Sequence, residues 1–347
     1  MSLTQTAYTS RKLIKFGGLG IIVFSLLWVT IKAAYSVYRS HNPIYTAPTV
    51  RYGILPKIVF PEKEKTNKNF AFELANDAIP TFSDQSKVYV IYRPNKTFLA
   101  LEEDTKTAKS FGFTSDPVEI KDKTGVYEFK DTTSNKTLTV NVLDGDFEIT
   151  YPYGSDQVLL TENSVPNKSQ AIEIASNFLS RGNKLTDDLK NGNKNVSYWK
   201  IDGGTLKSVS AQSEANAARV DFYRKDFDDF TLISSNFGQA STSVLISGST
   251  VEAKKIIGVN FKDINIDRES YSTYPIKTAE EAISDLKSGN YWTARDISDS
   301  SVTIRKMYLA YYEPTTLTNY LQPIFVFEGD NNFVAYVPAV TAKYTGE

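Results

Sequence analysis

An α+β fold carried on one N-terminal transmembrane helix is what this sequence predicts, and three observations predict it. A single uncharged apolar run lies near the start of the chain. Stretches in which apolar and polar residues alternate recur through the remainder. Three segments with helical spacing stand among them, each followed by a glycine. Runs of strands punctuated by single helices imply antiparallel sheets with helices packed on one face, in repeated helix-plus-sheet units.

The apolar run spans Phe16 to Ile31, FGGLGIIVFSLLWVTI, and continues through Lys32 to Tyr38. A helix needs ~20 mainly apolar residues to cross ~30 Å of hydrocarbon. Lys32 stands near one end and can reach the headgroups, where Trp28, Tyr35 and Tyr38 suit an aromatic belt. Arg11, Lys12 and Lys15 precede the run with no acid beside them. That bias predicts a cytoplasmic N-terminus over 1–15, an anchor over 16–38 and an extracytoplasmic remainder at the cell membrane. A cleaved signal peptide is the rival reading, but no clean A-x-A site follows, and cleavage after Ala34 would set Lys32 where a small residue is wanted.

Pro43, Pro48, Pro56 and Pro61 make 39–68 a stalk, with short strands expected at Arg51–Ile54 and Lys57–Phe60. Three α+β units are expected beyond it, over 69–165, 166–275 and 276–347. In the first, a β-rich run at Val88–Tyr92 precedes a helix from Thr97 to Phe111, stopped by Gly112. Strands follow at Gly125–Lys130, Thr137–Val142 and Asp146–Tyr151, the last two joined by a glycine turn. In the second, Asn167 and Gln170 open a helix with apolar positions Ala171, Ile174, Ala175, Phe178 and Leu179, ended by Gly182. Strands are expected next at Ser197–Ile201, Ala218–Tyr223, Phe230–Ser234, Ser243–Ile246 and Ile256–Asn265, a large β insertion. In the third, Thr278 and Glu281 form a capping box, Gly289 closes the helix, and strands follow at Ser301–Tyr312, Gln322–Glu328 and Asn332–Pro338.

Composition excludes many chemistries. The chain has no Cys, which removes thiol nucleophiles, disulfides, Fe–S clusters and zinc fingers. Its one His, His41, stands in a linker, so a His-based triad or metal centre has nothing to build on. With 39 basic and 40 acidic residues there is no global grip on nucleic acid. No nucleophile elbow, Walker loop or Rossmann fingerprint is present. Asp226, Asp228 and Asp229 in RKDFDDF read as a polar turn, with oxygen ligation of Ca²⁺ as the functional alternative. Tyr308, Tyr311, Tyr312 and Tyr320 with Trp292 read as sheet packing, with a stacking platform as the alternative. No cofactor and no metal are expected.

Three stretches carry a resemblance: TLTVNVLDGDFEITYPYG; QAIEIASNFLSRG leading to ARVDFYRKDF; and YPIKTAEEAISDLKSGNYW followed by VTIRKMYLAYYE and LQPIFVFEGDNNFVAYVPAV. Their order resembles the extracytoplasmic regions of YycH/YycI-type regulatory proteins, which are related in shape to PepSY-like modules. The resemblance covers roughly Thr97 to Val340 and rests on hydrophobic pattern and turn placement. It implies PepSY/YycI-like repeated units and action without catalysis, by contact with a membrane sensor kinase and with other envelope proteins. The Pro-rich stalk and the β insertion depart from the pattern.

The function expected is therefore a non-enzymatic, single-pass, extracytoplasmic interaction or regulatory protein. Its partners are the bilayer and another membrane or envelope protein, with a homo-oligomer left open. A carboxylate-dependent envelope hydrolase and a surface module binding wall polymers are the alternatives. Because a terminal strand is often an edge strand, Phe325, Phe327, Phe333 and Tyr336 are expected to divide between core and a partner-facing surface, against the alternative that all four pack internally.

Overall fold

The computed structural model describes residues 3–41, 46–63, 67–75, 78–92, 99–161, 164–262 and 264–346, with side chains in the first stretch from 16 to 38. The chain divides into two compact units, Met1–Pro48 and Thr49–Glu347. The first holds helix α1 (Leu3–His41), of which Phe16–Tyr38, 23 residues, is long and apolar enough to cross a membrane. The Thr30 hydroxyl donates back to the carbonyls of Leu26 and Leu27 (3.0 and 2.9 Å), which removes its need for water. Lys32 turns its ammonium over the Trp28 ring at 4.0 Å.

The second unit is mixed α+β. In chain order it contains β1 (Asn69–Phe72), β2 (Gln85–Tyr92), α2 (Ala100–Ser110), β3 (Val118–Glu119), β4 (Val126–Asp131), β5 (Lys136–Asn141) and β6 (Phe147–Thr150). Helices α3 (Gln157–Thr161), α4 (Lys168–Arg181) and α5 (Asp187–Asn191) follow, then β7 (Lys194–Asp202), β8 (Thr205–Val209), β9 (Ala217–Phe222), β10 (Leu232–Ile233) and β11 (Thr242–Ser247). The last part runs α6 (Glu252–Lys255), β12 (Ile256–Phe261), β13 (Asn265–Pro275), α7 (Ala279–Lys287), β14 (Trp292–Arg295), β15 (Ser301–Tyr312), β16 (Tyr320–Leu321), β17 (Pro323–Gly329) and β18 (Val334–Pro338).

Nine strands form one antiparallel sheet in the order β3-β4-β5-β6-β12-β11-β9-β7-β8. Helices α2 and α4 cover one face, burying Ala108, Ala171, Ala175, Phe178 and Leu179 against inward residues such as Phe129, Val220 and Phe261. Leu159 of α3 packs on the opposite face with Ile201, Leu245 and Ile257. The first two expected units thus share a sheet, joined where β6 pairs with β12, and the expected boundary at 165/166 falls inside it. The expected caps are in place. Asn167 and Gln170 cap α4 reciprocally (3.0 and 3.1 Å), as do Thr278 and Glu281 for α7 (3.2 and 2.8 Å). Gly182 has φ −86°, so no left-handed turn demands it. A Cβ there would lie 2.2 Å from the Phe111 ring, which stacks on Phe178 at 4.5 Å between centroids. The start of the expected first helix, Thr97 and Phe98, lies outside the described residues.

A second sheet runs β1-β15-β17-β18-β14, with β10 pairing parallel to β15, and a third runs β13-β2-β16. The register of β15 on β17 shifts between Ile304 and Lys306, leaving Arg305 as an extra residue. Opposite it, Gly329 leaves room that a Cβ would fill, 2.7 Å from Val302 Cγ1. Helix α7 packs on one face of this sheet with Val302, Ile304 and Phe325. The other face is covered partly by Ile58 and Phe60. From Thr49 onward the expected stalk is therefore part of the body. Leu55 is fully buried, the Trp292 indole donates to Pro61 O at 2.7 Å, and neither expected short strand forms beyond a bridge of Leu55 to Thr345. Prolines without a strand partner gave the stalk signal, but alternate side chains of this extended segment still find a core.

Burial pushes the Tyr312 hydroxyl up to about 12 and raises Tyr311 and Tyr336 further. Such groups ionise in the unfolded chain near pH 10 but stay protonated when folded, so the unfolded state gains as pH rises above about 10. Lys136 acts in the opposite direction. Burial lowers it from 10.5 to about 8, so the folded state sheds a proton first and stability rises with pH between those values. Urea midpoints measured from pH 7 to 11 are expected to pass a maximum and then fall, by up to about 1.4 kcal/mol per pH unit for each buried tyrosine. Lys136→Met is expected to remove the rise and leave the fall.

Candidate functional site

The segment RKDFDDF, between β9 and β10, borders a cavity in the body. Phe227 and Phe230 exchange backbone hydrogen bonds (2.9 and 2.8 Å) around Asp228 and Asp229, whose φ values are 49° and 66°. Two positive φ values in a two-residue loop define the hairpin turn that Asp tolerates and most residues do not. Asp228 accepts from Lys87 Nζ at 2.9 Å and from the Tyr89 hydroxyl at 2.6 Å. The Arg268 guanidinium lies 3.6 Å over the Phe227 ring and donates to Asp188 and to the carbonyls of Lys225 and Asp226. The acidic run is a turn in which Asp228 is paired, and no acid cluster fit for a metal ion occurs among the described residues.

Behind this turn lies a cavity of about 310 Å³, walled by Phe222, Leu232, Ile233, Phe237, Tyr308 and Glu313 among others. Arg224 and Glu313 are 9% and 7% exposed, and Arg224 Nε donates to Glu313 Oε1 at 3.2 Å. The guanidinium also donates to Lys262 O at 3.0 Å, and the Ser241 hydroxyl donates to the second Glu313 oxygen. Asp221 is buried nearby, where it accepts from Arg219 Nε (3.0 Å) and Ala240 N (3.3 Å). Burial raises its carboxyl, against the pull of Arg219. A mostly apolar wall with a few fixed polar groups is the usual make-up of a ligand pocket at the lower end of the size range.

The acids of RKDFDDF drew attention in the sequence, but Arg224, just before them, enters the wall as well as Asp226. Glu313 ends the apolar run YLAYYE, and a lone acid closing such a run was the available signal. The tyrosines read as sheet packing do not assemble into the alternative stacking platform. Tyr311 and Tyr312 are buried, Trp292 stacks on Phe60 at 5.2 Å, and Tyr320 stacks on Tyr52 at 5.0 Å.

Phe325, Phe327, Phe333 and Tyr336 are each 0% exposed. They divide between the two faces of the second sheet, the three Phe towards α7 and Tyr336 towards Phe60 and Trp292, and none presents surface to a partner. The edge argument fails for a topological reason: β17 is central, and β14 covers β18. Replacing any of the four by Ala is expected to cost about 3–5 kcal/mol in denaturant unfolding, and Asp to abolish folding. Removing one member of the buried ion pair, Arg224→Met, is expected to cost about 3–5 kcal/mol, and Arg224→Met/Glu313→Leu to recover most of it.

No family model matches the sequence, and neither does any curated protein. Among solved structures the chain is similar to an uncharacterised protein from Eubacterium rectale at 12% identity and TM-score 0.42, covering 82% of this chain and 90% of that one. It is also similar to the C-terminal domain of Bacillus megaterium YpeB at 14% identity and TM-score 0.30, covering 69% and 92%.

Proposed function

We propose that this is a single-pass membrane protein whose extracytoplasmic body regulates another envelope protein by binding it, without catalysing a reaction. The observation that carries the reading is the 310 Å³ cavity with its mainly apolar wall. A pocket of that size accepts one large side chain from a partner, which is how interface hot spots are built. The anchor reading draws on the 23-residue span, and its sidedness on Arg11, Lys12 and Lys15. A membrane sensor kinase is the partner class that the YycH/YycI-type resemblance suggests.

The hydrolase alternative has less support. A carboxylate-dependent hydrolase wants two acids free to act in one cleft, but Glu313 is held by Arg224 and Ser241, and Asp221 by Arg219. The wall-polymer alternative wants an exposed aromatic platform, and the tyrosines that suggested one are divided between core and separate stacks.

Ala240 lines the cavity, and Ala240→Phe would fill it. Crosslinking of the full chain in intact membranes is expected to capture a protein partner. The variant is expected to lose at least about tenfold of that capture with its melting temperature nearly unchanged. Capture that persists undiminished in a folded variant would remove the cavity from the reading, and a chain that crosslinks to no protein would remove the reading itself.

A further inference from the structure

The start of the body builds a surface that neither the cavity nor the core uses. Three segments meet there: 49–61, 314–322 and 339–346. Lys57, Val59, Leu317 and Tyr320 line a pocket of about 200 Å³, Tyr52 stacks on Tyr320, and Leu55 N donates to Tyr344 O at 2.8 Å. On this surface Ile54, Val59 and Leu317 are 69%, 62% and 50% exposed. Arg51, Lys57 and Lys343 are exposed among them. The three segments contain no acid at all, in a chain where 40 of 347 residues are acidic. Asp267, which borders the face beside Tyr52, is occupied by the N–H groups of Glu269 and Ser270 (2.9 and 3.3 Å). On the other side of the Leu317 loop, Asp146 is paired with Lys262.

We propose that this basic and apolar face docks the body onto an anionic lipid bilayer. The inference rests on the reading of α1 as a membrane anchor. Residues 39–48 separate the apolar span from the body, and ten residues reach at most about 35 Å. The face begins at the body's first residues, so the anchor holds it at high effective concentration beside the headgroups. Exposed Ile, Val and Leu enter the headgroup boundary, Arg51, Lys57 and Lys343 meet anionic phosphates, and the half-buried Tyr52, Tyr320 and Tyr344 suit the interface. A protein interface would bring paired charges of both signs; the three segments of this face carry basic charge and no acid, and that favours lipid.

The absence of native Cys makes single-cysteine labelling clean. Val59→Cys and Leu317→Cys on the face, and Ser208→Cys on the β8 edge as control, would carry an environment-sensitive fluorophore. The full chain would be reconstituted in phosphatidylcholine vesicles with or without about one-third phosphatidylglycerol. Labels at 59 and 317 are expected to shift to the blue and to be quenched by a headgroup-depth nitroxide lipid in the anionic vesicles, while the label at 208 stays aqueous. Arg51→Glu, Lys57→Glu and Lys343→Glu are each expected to weaken docking at least about fivefold without changing the melting temperature. Labels at 59 and 317 that remain aqueous in a chain that floats with vesicles would overturn the docking and leave the anchor standing. Shielding seen only in native membranes would assign the face to a protein and overturn the lipid proposal. A chain that does not float would overturn both.

Discussion

Strand β15 buries one face along its start and both faces towards its end, and one inserted residue makes that feasible. Before the bulge, Val302 and Ile304 point into the core under α7; after it, Met307 and Leu309 do. The parity of the apolar positions changes from even to odd, and Arg305 absorbs the change. Without the extra residue, Met307 and Leu309 would turn to the other face, and Tyr308, Ala310 and Tyr312 would crowd α7. Arg305 is held in place by a fork onto Asp330 (2.8 and 2.7 Å) and by Glu73, so the bulge is pinned to the β17–β18 turn. Gly329 lies opposite because the bulged strand crowds that position. Strands β1, β10 and β17 all pair with β15, so its register sets theirs.

The far end of the same strand explains the cavity. β15 ends at Tyr312, and the next residue, Glu313, is an acid where the second sheet meets the last residues of β9 and β12. Arg224 leaves β9 and answers that charge while satisfying Lys262 O beyond β12. A buried pair of this kind adds little net stability relative to apolar residues of the same shape, but each member is costly to lose alone. Its effect is to fix where the ends of two sheets meet. The turn at Asp228 and Asp229 closes the junction from outside, tied to β2 through Lys87 and Tyr89. Side chains that fix the junction and leave space between them define the walls of the cavity.

Much of this was legible in the sequence where local rules decide. The capping boxes at Asn167 and Thr278 and the strand at Ser301–Tyr312 follow from residues near one another in the chain. What was not legible depends on pairing at long range. The sequence read the final hairpin as an edge, but β14, only four residues long and carrying Trp292 and Arg295, covers it. Strand β13 was not read, since the expected strand Ile256–Asn265 covers β12 and stops at the first residue of β13; Ser, Thr and Arg break its apolar alternation, and its pairing to β2 is interrupted by three extra residues. The merging of two units into one sheet required knowing that β6 meets β12, more than a hundred residues away, and no local pattern carries that. In the candidate site, the Asp turn was read correctly from composition. Arg224 and Glu313 look like any surface charges until the strand ends are placed.

The segment from Thr49 to Pro61 shows why exposure of an apolar residue is informative there. Pro56 and Pro61 hold the chain extended, and in an extended chain successive side chains point to opposite sides. Leu55 is fully buried beside Val88, Tyr274 and Val340, and its neighbour Ile54 therefore faces outward. Phe60 fills the second sheet's outer face against Trp292 and Tyr312, and Val59 is left outside for the same reason. The fold needs Leu55 and Phe60 to be apolar, but it places no such demand on residues 54 and 59, where a polar side chain would serve as well or better. Two branched aliphatic residues at positions the core does not use, in a segment with basic and no acidic charge, are accounted for by what lies outside the body rather than by packing within it.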